Sequence, residues 1–161
     1  MTENHLDEIN NKVITEFSKT MEMFDLTSAE ARLFSILYLK DSPMTLDQMS
    51  EELGKSKTSI STAVRNLLEM KLVDRVWKKG NRKDLYTADE NLYKRFLKTF
   101  VQKRLETTIQ QKQSLKEIES SLDKESIENS EVNHINNKLR DMIEFHLLIE
   151  QAFQNIYKTN P

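Results

Sequence analysis

A mainly α-helical chain with a small β-hairpin, and with long helices at both ends, is what this sequence predicts. Three observations carry that expectation. Glycine and proline are scarce, two of each in 161 residues, so tight turns are few and helices run long. Apolar residues recur at three- and four-residue steps over most of the chain. After Lys71 that period gives way to a short stretch that reads as two strands around a basic loop.

The elements follow in order. Residues 4–24 place Leu6, Ile9, Val13, Phe17, Met21 and Phe24 on one helical stripe, a face for core packing or for a second subunit. Thr27, with Glu30 three residues on, forms a capping box for a second helix. Its apolar face is Ala31, Phe34, Leu37 and Tyr38, and Asp41-Ser42-Pro43 ends it because proline cannot continue the ladder. Thr45 and Gln48 repeat the capping box for a short third helix with Leu46, Met49 and Leu53 inward. Gly54 supplies the turn, where a left-handed backbone costs glycine little. Ser56 caps a fourth helix running to about Met70, with Ile60, Ala63, Val64 and Leu67 inward.

Leu72, Val73, Val76 and Trp77 then read as a strand and residues 84–87 as its return, with Trp77 as the bulky inward residue. Between them Lys78-Lys79-Gly80-Asn81-Arg82-Lys83 forms the loop, Gly-Asn at its tip. Residues 90–122 read as one long helix with Leu92, Phe96, Phe100, Leu105, Ile109, Leu115, Ile118 and Leu122 in its stripe. Residues 123–130, rich in Ser, Asn and charge, break it, and a last helix runs to about Tyr157. On that helix Val132, Ile135, Leu139, Met142, His146, Ile149, Phe153 and Ile156 alternate steps of three and four. This is a heptad seam, which calls for a partner helix. Two helices of about 30 residues would each span about 45 Å, too long to pack on a small core, so they predict an extended dimerisation arm.

Charge is distributed unevenly. The chain totals −2, yet nine Lys or Arg lie between Lys55 and Lys83, opposed only by Glu69 and Asp74, a local balance of +7. So basic a patch on a helix-turn-helix followed by a hairpin points to duplex DNA. The fourth helix presents Thr58, Ser61, Thr62 and Arg65 opposite its apolar face. Small hydroxyl-bearing side chains let a helix sit deep in a major groove. The hairpin is then a wing, whose basic loop lies along phosphates while Arg82 enters a minor groove. The predicted DNA-binding set is Lys55, Ser56, Lys57, Thr58, Ser59, Ser61, Thr62, Arg65, Lys78, Lys79, Asn81, Arg82 and Lys83. The predicted organisation is a dimerisation helix at 1–26, a winged helix-turn-helix DNA-binding domain at 27–89 and a helical dimerisation arm at 90–161.

Other chemistries find little support. There is no cysteine, hence no disulfide, Cys-zinc site or thiol nucleophile. Of the three histidines, His5, His134 and His146, none is spaced with another as a metal pair, and His146 on the seam is expected to be packed or hydrogen-bonded. Gly54 and Gly80 stand alone, so no Gly-rich phosphate loop is formed. The reading is a non-enzyme with no cofactor and no metal. No run of 18 apolar residues spans a membrane, and the polar N-terminus lacks a signal core, so a cytoplasmic location is expected.

The block around residues 39–53, the run Ser56-Lys57-Thr58-Ser59-Ile60-Ser61, and Arg75-Val76-Trp77 followed by Lys79-Gly80-Asn81-Arg82-Lys83-Asp84 resemble the winged-helix core of MarR-type transcriptional regulators. The likeness is greatest to the GbsR branch, choline-responsive repressors of glycine betaine synthesis and uptake. It covers about a third of the chain strongly. The resemblance implies a homodimeric repressor on a pseudo-palindromic operator, with choline or a related small effector. One departure is Asn81, where many family members have an acidic residue that pairs within the wing.

Quaternary ammonium ligands are held by aromatic faces. Phe17, Phe24, Phe34, Tyr38, Phe96 and Phe100 are the candidates for such a site, with ordinary core packing as the alternative. Two other functional readings stay open: a MarR-type regulator answering another signal, and a protein-interaction module that uses the winged helix as a scaffold.

Overall fold

A computed structural model describes residues 2–88, 91–124 and 129–159. By its internal contacts the chain divides into two compact units, residues 1–95 and 96–161.

The first unit holds α1 (Glu3–Glu22), α2 (Ser28–Lys40), α3 (Leu46–Leu53), α4 (Lys57–Glu69), β1 (Val73–Val76), β2 (Leu85–Ala88) and the start of the short α5 (Leu92–Phe96). Local chemistry sets most of these ends. Thr27 and Glu30 close a reciprocal capping box on α2, and Thr45 and Gln48 close another on α3. Ser56 caps α4 through the Ser59 N–H at 3.2 Å. Gly54 takes φ +63° after α3, the left-handed turn expected of it. At the end of α4, Lys71 takes φ +60°, its N–H bonding the Leu68 carbonyl while the Leu72 N–H reaches Leu67. This is a Schellman stop built without glycine.

The core of this unit is Leu33, Phe34, Ile36 and Leu37 of α2, Met49 of α3, Ile60, Val64 and Leu67 of α4, and Leu72 and Val73 leading into the hairpin. The inward face expected for α4 is the one observed. In α1 the buried residues are Ile14, Ser18 and Met21, a face that shares Met21 with the predicted stripe but is rotated from it, so that Ile9, Phe17 and Phe24 are half-buried and Leu6 and Val13 exposed. The reason lies at the crossing with α2. The Ser18 and Ser35 hydroxyls sit 3.2 Å apart, each bonded to the carbonyl four residues back in its own helix. Two small side chains, their hydroxyls satisfied locally, let the backbones approach where larger residues would not.

β1 and β2 pair antiparallel, Val73 opposite Ala88 and Val76 opposite Leu85. Met44 adds a bridge to Tyr86, with both N–H···O bonds at 2.9 Å, tying the hairpin to the chain just ahead of α3. Trp77 departs from expectation. It lies beyond the last cross-strand pair, where no sheet face supports it, and is 82% exposed.

The second unit begins at Phe96. A π-helical turn at Leu97–Val101 leads into α6 (Gln102–Lys124), which packs along α7 (Ser130–Thr159). The uniform helix predicted over 90–122 is therefore interrupted. A π turn accommodates one residue more than an α turn, which brings Leu97, Phe100 and Val101 into the interior in place of an unbroken stripe. The break expected at 123–130 falls between α6 and α7, and its residues 125–128, like the expected domain junction at 89 and 90, lie outside the described residues.

On α7 the predicted seam splits. Val132, Leu139, His146, Ile149 and Phe153 are half-buried or buried, joined by Ile143, Glu150 and Tyr157, while Ile135, Met142 and Ile156 are exposed. The helix has two apolar stripes, and the predicted seam mixed them. His146 is hydrogen-bonded as expected, its Nδ1–H donating to the Met142 carbonyl at 2.7 Å. Lys112 of α6 and Glu150 of α7 form a 2.5 Å ion pair with side chains only 15% and 13% exposed.

Candidate nucleic-acid interface

The outward face of α4 follows from its period. With Ile60, Ala63, Val64 and Leu67 turned into the core, positions 58, 61, 62 and 65 face outward on successive turns. Lys57, Thr58, Ser61, Thr62 and Arg65, with Leu46 of α3, line one open groove along the helix. Thr62 donates its hydroxyl to the Thr58 carbonyl at 3.1 Å, and Arg65 is exposed. Lys55, Ser56 and Ser59 lie at the helix start, where Ser56 and Ser59 are 3.2 Å apart through their hydroxyls. That end carries unpaired N–H groups and a positive dipole, an environment suited to a phosphate.

The wing is shaped by its own backbone. The Asn81 N–H reaches the Lys78 carbonyl at 3.1 Å, and Gly80 sits in that turn at φ +85°. The Asn81 side chain accepts from the Lys83 N–H at 3.1 Å. Asparagine thus organises the loop by an Asx turn in the slot where an acidic residue would pair with arginine. Lys78, Lys79 and Arg82 are exposed, and Arg82 makes no bond with another described residue. Behind the loop, Arg75 lies over the Tyr86 ring, 5.7 Å from its centroid. Arg95 of α5 bonds the Lys71 carbonyl at 2.9 Å and the Asp74 carboxylate at 2.5 Å, anchoring the base of the hairpin.

One residue absent from the predicted set sits between these parts. Asp47, in the first turn of α3, places Oδ1 3.2 Å from Lys57 Nζ and Oδ2 2.8 Å from Lys83 Nζ. Hydrogen bonds from Lys83 and then Lys57 hold its carboxyl below the usual aspartate range. Sequence spacing carries no trace of this, because α3, α4 and the wing meet only through the fold.

The candidate effector aromatics form two groups. In the first unit Phe17, Phe34 and Tyr38 pack on one another with ring centroids 6.0–6.3 Å apart, and Phe34 is buried in the core. Phe24 is half-buried. In the second unit Phe96 and Phe100 are 5.3 Å apart, and the Arg104 guanidinium already lies over the Phe100 ring at 5.4 Å. Both groups pack ring against ring. Among the described residues no helix is long and apolar enough to cross a membrane, and no group of three or more His, Asp or Glu is arranged to hold a metal.

A short helix, a turn, a second helix with a polar outer face, and a basic hairpin bridged to the segment before them define a winged helix-turn-helix. The comparisons agree. The family described as methanogenesis regulatory protein FilR1, N-terminal domain, matches residues 20–82. The chain is 35% identical over 88 residues to the HTH-type transcriptional repressor OpcR of Bacillus subtilis (strain 168), a match covering 55% of this chain and 48% of that protein. It is 33% identical over 95 residues to the HTH-type transcriptional repressor GbsR of the same organism, covering 59% and 52%. The similarity to GbsR-type regulators expected from the sequence is thereby shown, and these relatives are of a non-enzymatic class. The chain spans about half the length of the curated relatives it matches. A crystal structure of a transcriptional regulator superposes with a TM-score of 0.62 at 16% identity, over 93% of this chain and 97% of that one, which speaks for the fold.

Proposed function

We propose that this chain is a DNA-binding transcriptional regulator that acts as a homodimeric repressor on a pseudo-palindromic duplex operator. The observation that carries the reading is the single groove along α4, lined by Lys57, Thr58, Ser61, Thr62 and Arg65, with an exposed basic wing in the same unit. Thr58, Ser61, Thr62 and Arg65 read or position on base edges. Lys55, Lys57, Lys78, Lys79 and Lys83 contact phosphates, Ser56, Ser59 and Asn81 order the backbone beside them, and Arg82 reaches a minor groove. A twofold dimer needs its reading helices about 34 Å apart to meet successive major grooves. Residues 1–26 and 90–161 supply the dimer contacts in this reading, and exposed Leu6, Val13, Phe145 and Leu148 support it.

Osmoprotectant genes as the target, and choline or a related quaternary ammonium compound as the effector, extend the reading by resemblance to the GbsR branch. A thermal-shift series with choline, betaine aldehyde and glycine betaine tests that extension, and no shift with any of them removes it.

DNA binding is tested with two labelled probes of equal length: a duplex enriched from a random library on the protein itself, and an unselected duplex. Affinity falls steeply with salt on both. Arg65→Ala loses far more on the enriched duplex, by about 1–3 kcal/mol. Failure to bind any duplex at low salt overturns the reading in favour of a protein-interaction module.

A further inference from the structure

Among the described residues, Asp47 is an acidic residue that touches both halves of the basic surface. Its two carboxylate oxygens are divided between Lys57 at the start of α4 and Lys83 in the wing, at 3.2 and 2.8 Å. One anion therefore links three elements, and the two cations it holds belong to the proposed phosphate-gripping set. The side chains are 47%, 62% and 65% exposed, for Asp47, Lys57 and Lys83 respectively. Pairs as wet as these are individually weak, screened by salt and readily exchanged. A duplex phosphate offers the same ammonium groups the same partner chemistry, with a stronger field from its neighbours.

We propose that Asp47 makes an autoinhibitory contact on the DNA-binding face, an internal stand-in for phosphate that occupies Lys57 and Lys83 until a duplex replaces it at both. The inference rests on the DNA-binding reading above. Releasing Lys57 and Lys83 from Asp47, and holding the Asp47 charge beside the backbone, cost the same on every duplex. Asp47 therefore lowers affinity throughout, and a duplex that adds the base-edge contacts of Thr58, Ser61, Thr62 and Arg65 is the one that still binds. The place of Asp47 in the first turn of α3, where a carboxylate is favoured by the helix dipole, holds it there without a further partner.

The test uses the full chain, with Asp47→Asn as the near-isosteric neutral variant and Asp47→Glu as the charge-retaining one. Binding to the enriched and unselected duplexes is measured by fluorescence anisotropy across salt. Asp47→Asn is expected to bind both duplexes several-fold more tightly, with the ratio between them little changed. Its log–log salt slope steepens by about one phosphate's worth, ~0.9. Asp47→Glu restores most of the wild-type affinity and salt slope. Circular dichroism and thermal melts establish that each variant is folded, and Asp47→Ala provides a second neutral variant if Asp47→Asn is not. Equal weakening on both duplexes would overturn the proposal, since it would make Asp47 only a brace for the wing. No change on either would overturn it too. If wild type binds no duplex, the DNA reading fails and this inference falls with it; a wild type that binds while Asp47→Asn binds no more tightly sinks the inference alone.

Discussion

The Tyr157 hydroxyl donates to the Leu97 backbone carbonyl at 2.8 Å, joining the last turns of α7 to the π-helical turn that opens the second unit. Leu97 O also receives the Gln102 N–H, the five-residue bond of a π turn. A carbonyl displaced from the α ladder thus gains a second donor from another helix. Burial, and then the Glu106 charge, push the Tyr157 phenol above its ordinary value of 10.0.

Tyr157→Phe keeps the ring and removes the donor, so it is expected to cost about 0.5–1.5 kcal/mol in a thermal or urea melt at neutral pH. The pH dependence has a definite sign. A phenol whose folded pKa is raised contributes stability that is complete below the ordinary value of about 10 and lost as pH rises through the folded value. Wild type should therefore lose part of its advantage over Tyr157→Phe in melts above that pH. A constant difference across it would show that the hydroxyl bond does not govern the titration.

The Lys112–Glu150 pair sits in the same two-helix unit and makes a stronger demand. With both side chains mostly shielded, removing one partner strands the other charge. Lys112→Ala is expected to destabilise by about 3–5 kcal/mol, whereas Lys112→Met combined with Glu150→Leu should be near neutral or stabilising. Chemical denaturation of the three proteins measures this. Lys112→Ala and the double variant losing the same amount would mean that the pair contributes packing and not charge compensation.

How much of this could be read from the chain depended on the range of the interaction. The boxes Thr27/Glu30 and Thr45/Gln48, the Ser56 cap, the Gly54 turn and the inward face of α4 act over three or four residues, and each was legible. The same spacing brought Thr58, Ser61, Thr62 and Arg65 to one groove. Long-range choices were not legible. On α7 the apolar residues cover more than half the circumference, so spacing alone could not decide that Ile143 faces α6 and Met142 does not. In α1 the interior position belongs to Ser18, a residue type that pattern reading assigns to the surface. Asp47 finds its lysines only once three elements have met.

Trp77 shows what a misread residue can still offer. It is the chain's single tryptophan, 82% exposed, and it stands between Arg75 and Lys78-Lys79 on the wing. An exposed indole among cations suits contact with a nucleic-acid backbone and its sugars. Its emission should be that of a solvated indole, quenched by acrylamide, and duplex should both change the emission and shield it. Trp77→Ala is expected to weaken duplex binding several-fold, with Trp77→Phe retaining most of the affinity. Unchanged emission and quenching on adding saturating duplex would place the wing away from DNA.

The second stripe of α7 carries the dimer prediction. Ile135, Met142, Phe145, Leu148 and Ile156 follow one another at helical spacing, and Phe145 and Leu148 are 58% and 60% exposed. Neither contributes to the stripe that α7 buries against α6, which runs through Leu139, Ile143, His146, Glu150 and Phe153. A helix apolar on both sides buries one within its own unit and calls for another surface on the other. Phe145→Glu and Leu148→Glu should therefore leave helix content unchanged while converting a dimer to monomer in sedimentation velocity. Each buried aromatic or leucine in such a seam is worth about 1.5–3 kcal/mol, so the pair of substitutions together should raise the dimer dissociation constant by more than tenfold. The monomer should keep salt-dependent contact with any duplex and lose the preference for two half-sites one turn apart, because each reading head then binds alone. A double variant that still sediments as a dimer would point the subunit contact to α1, where Leu6 and Val13 are also exposed and at helical spacing.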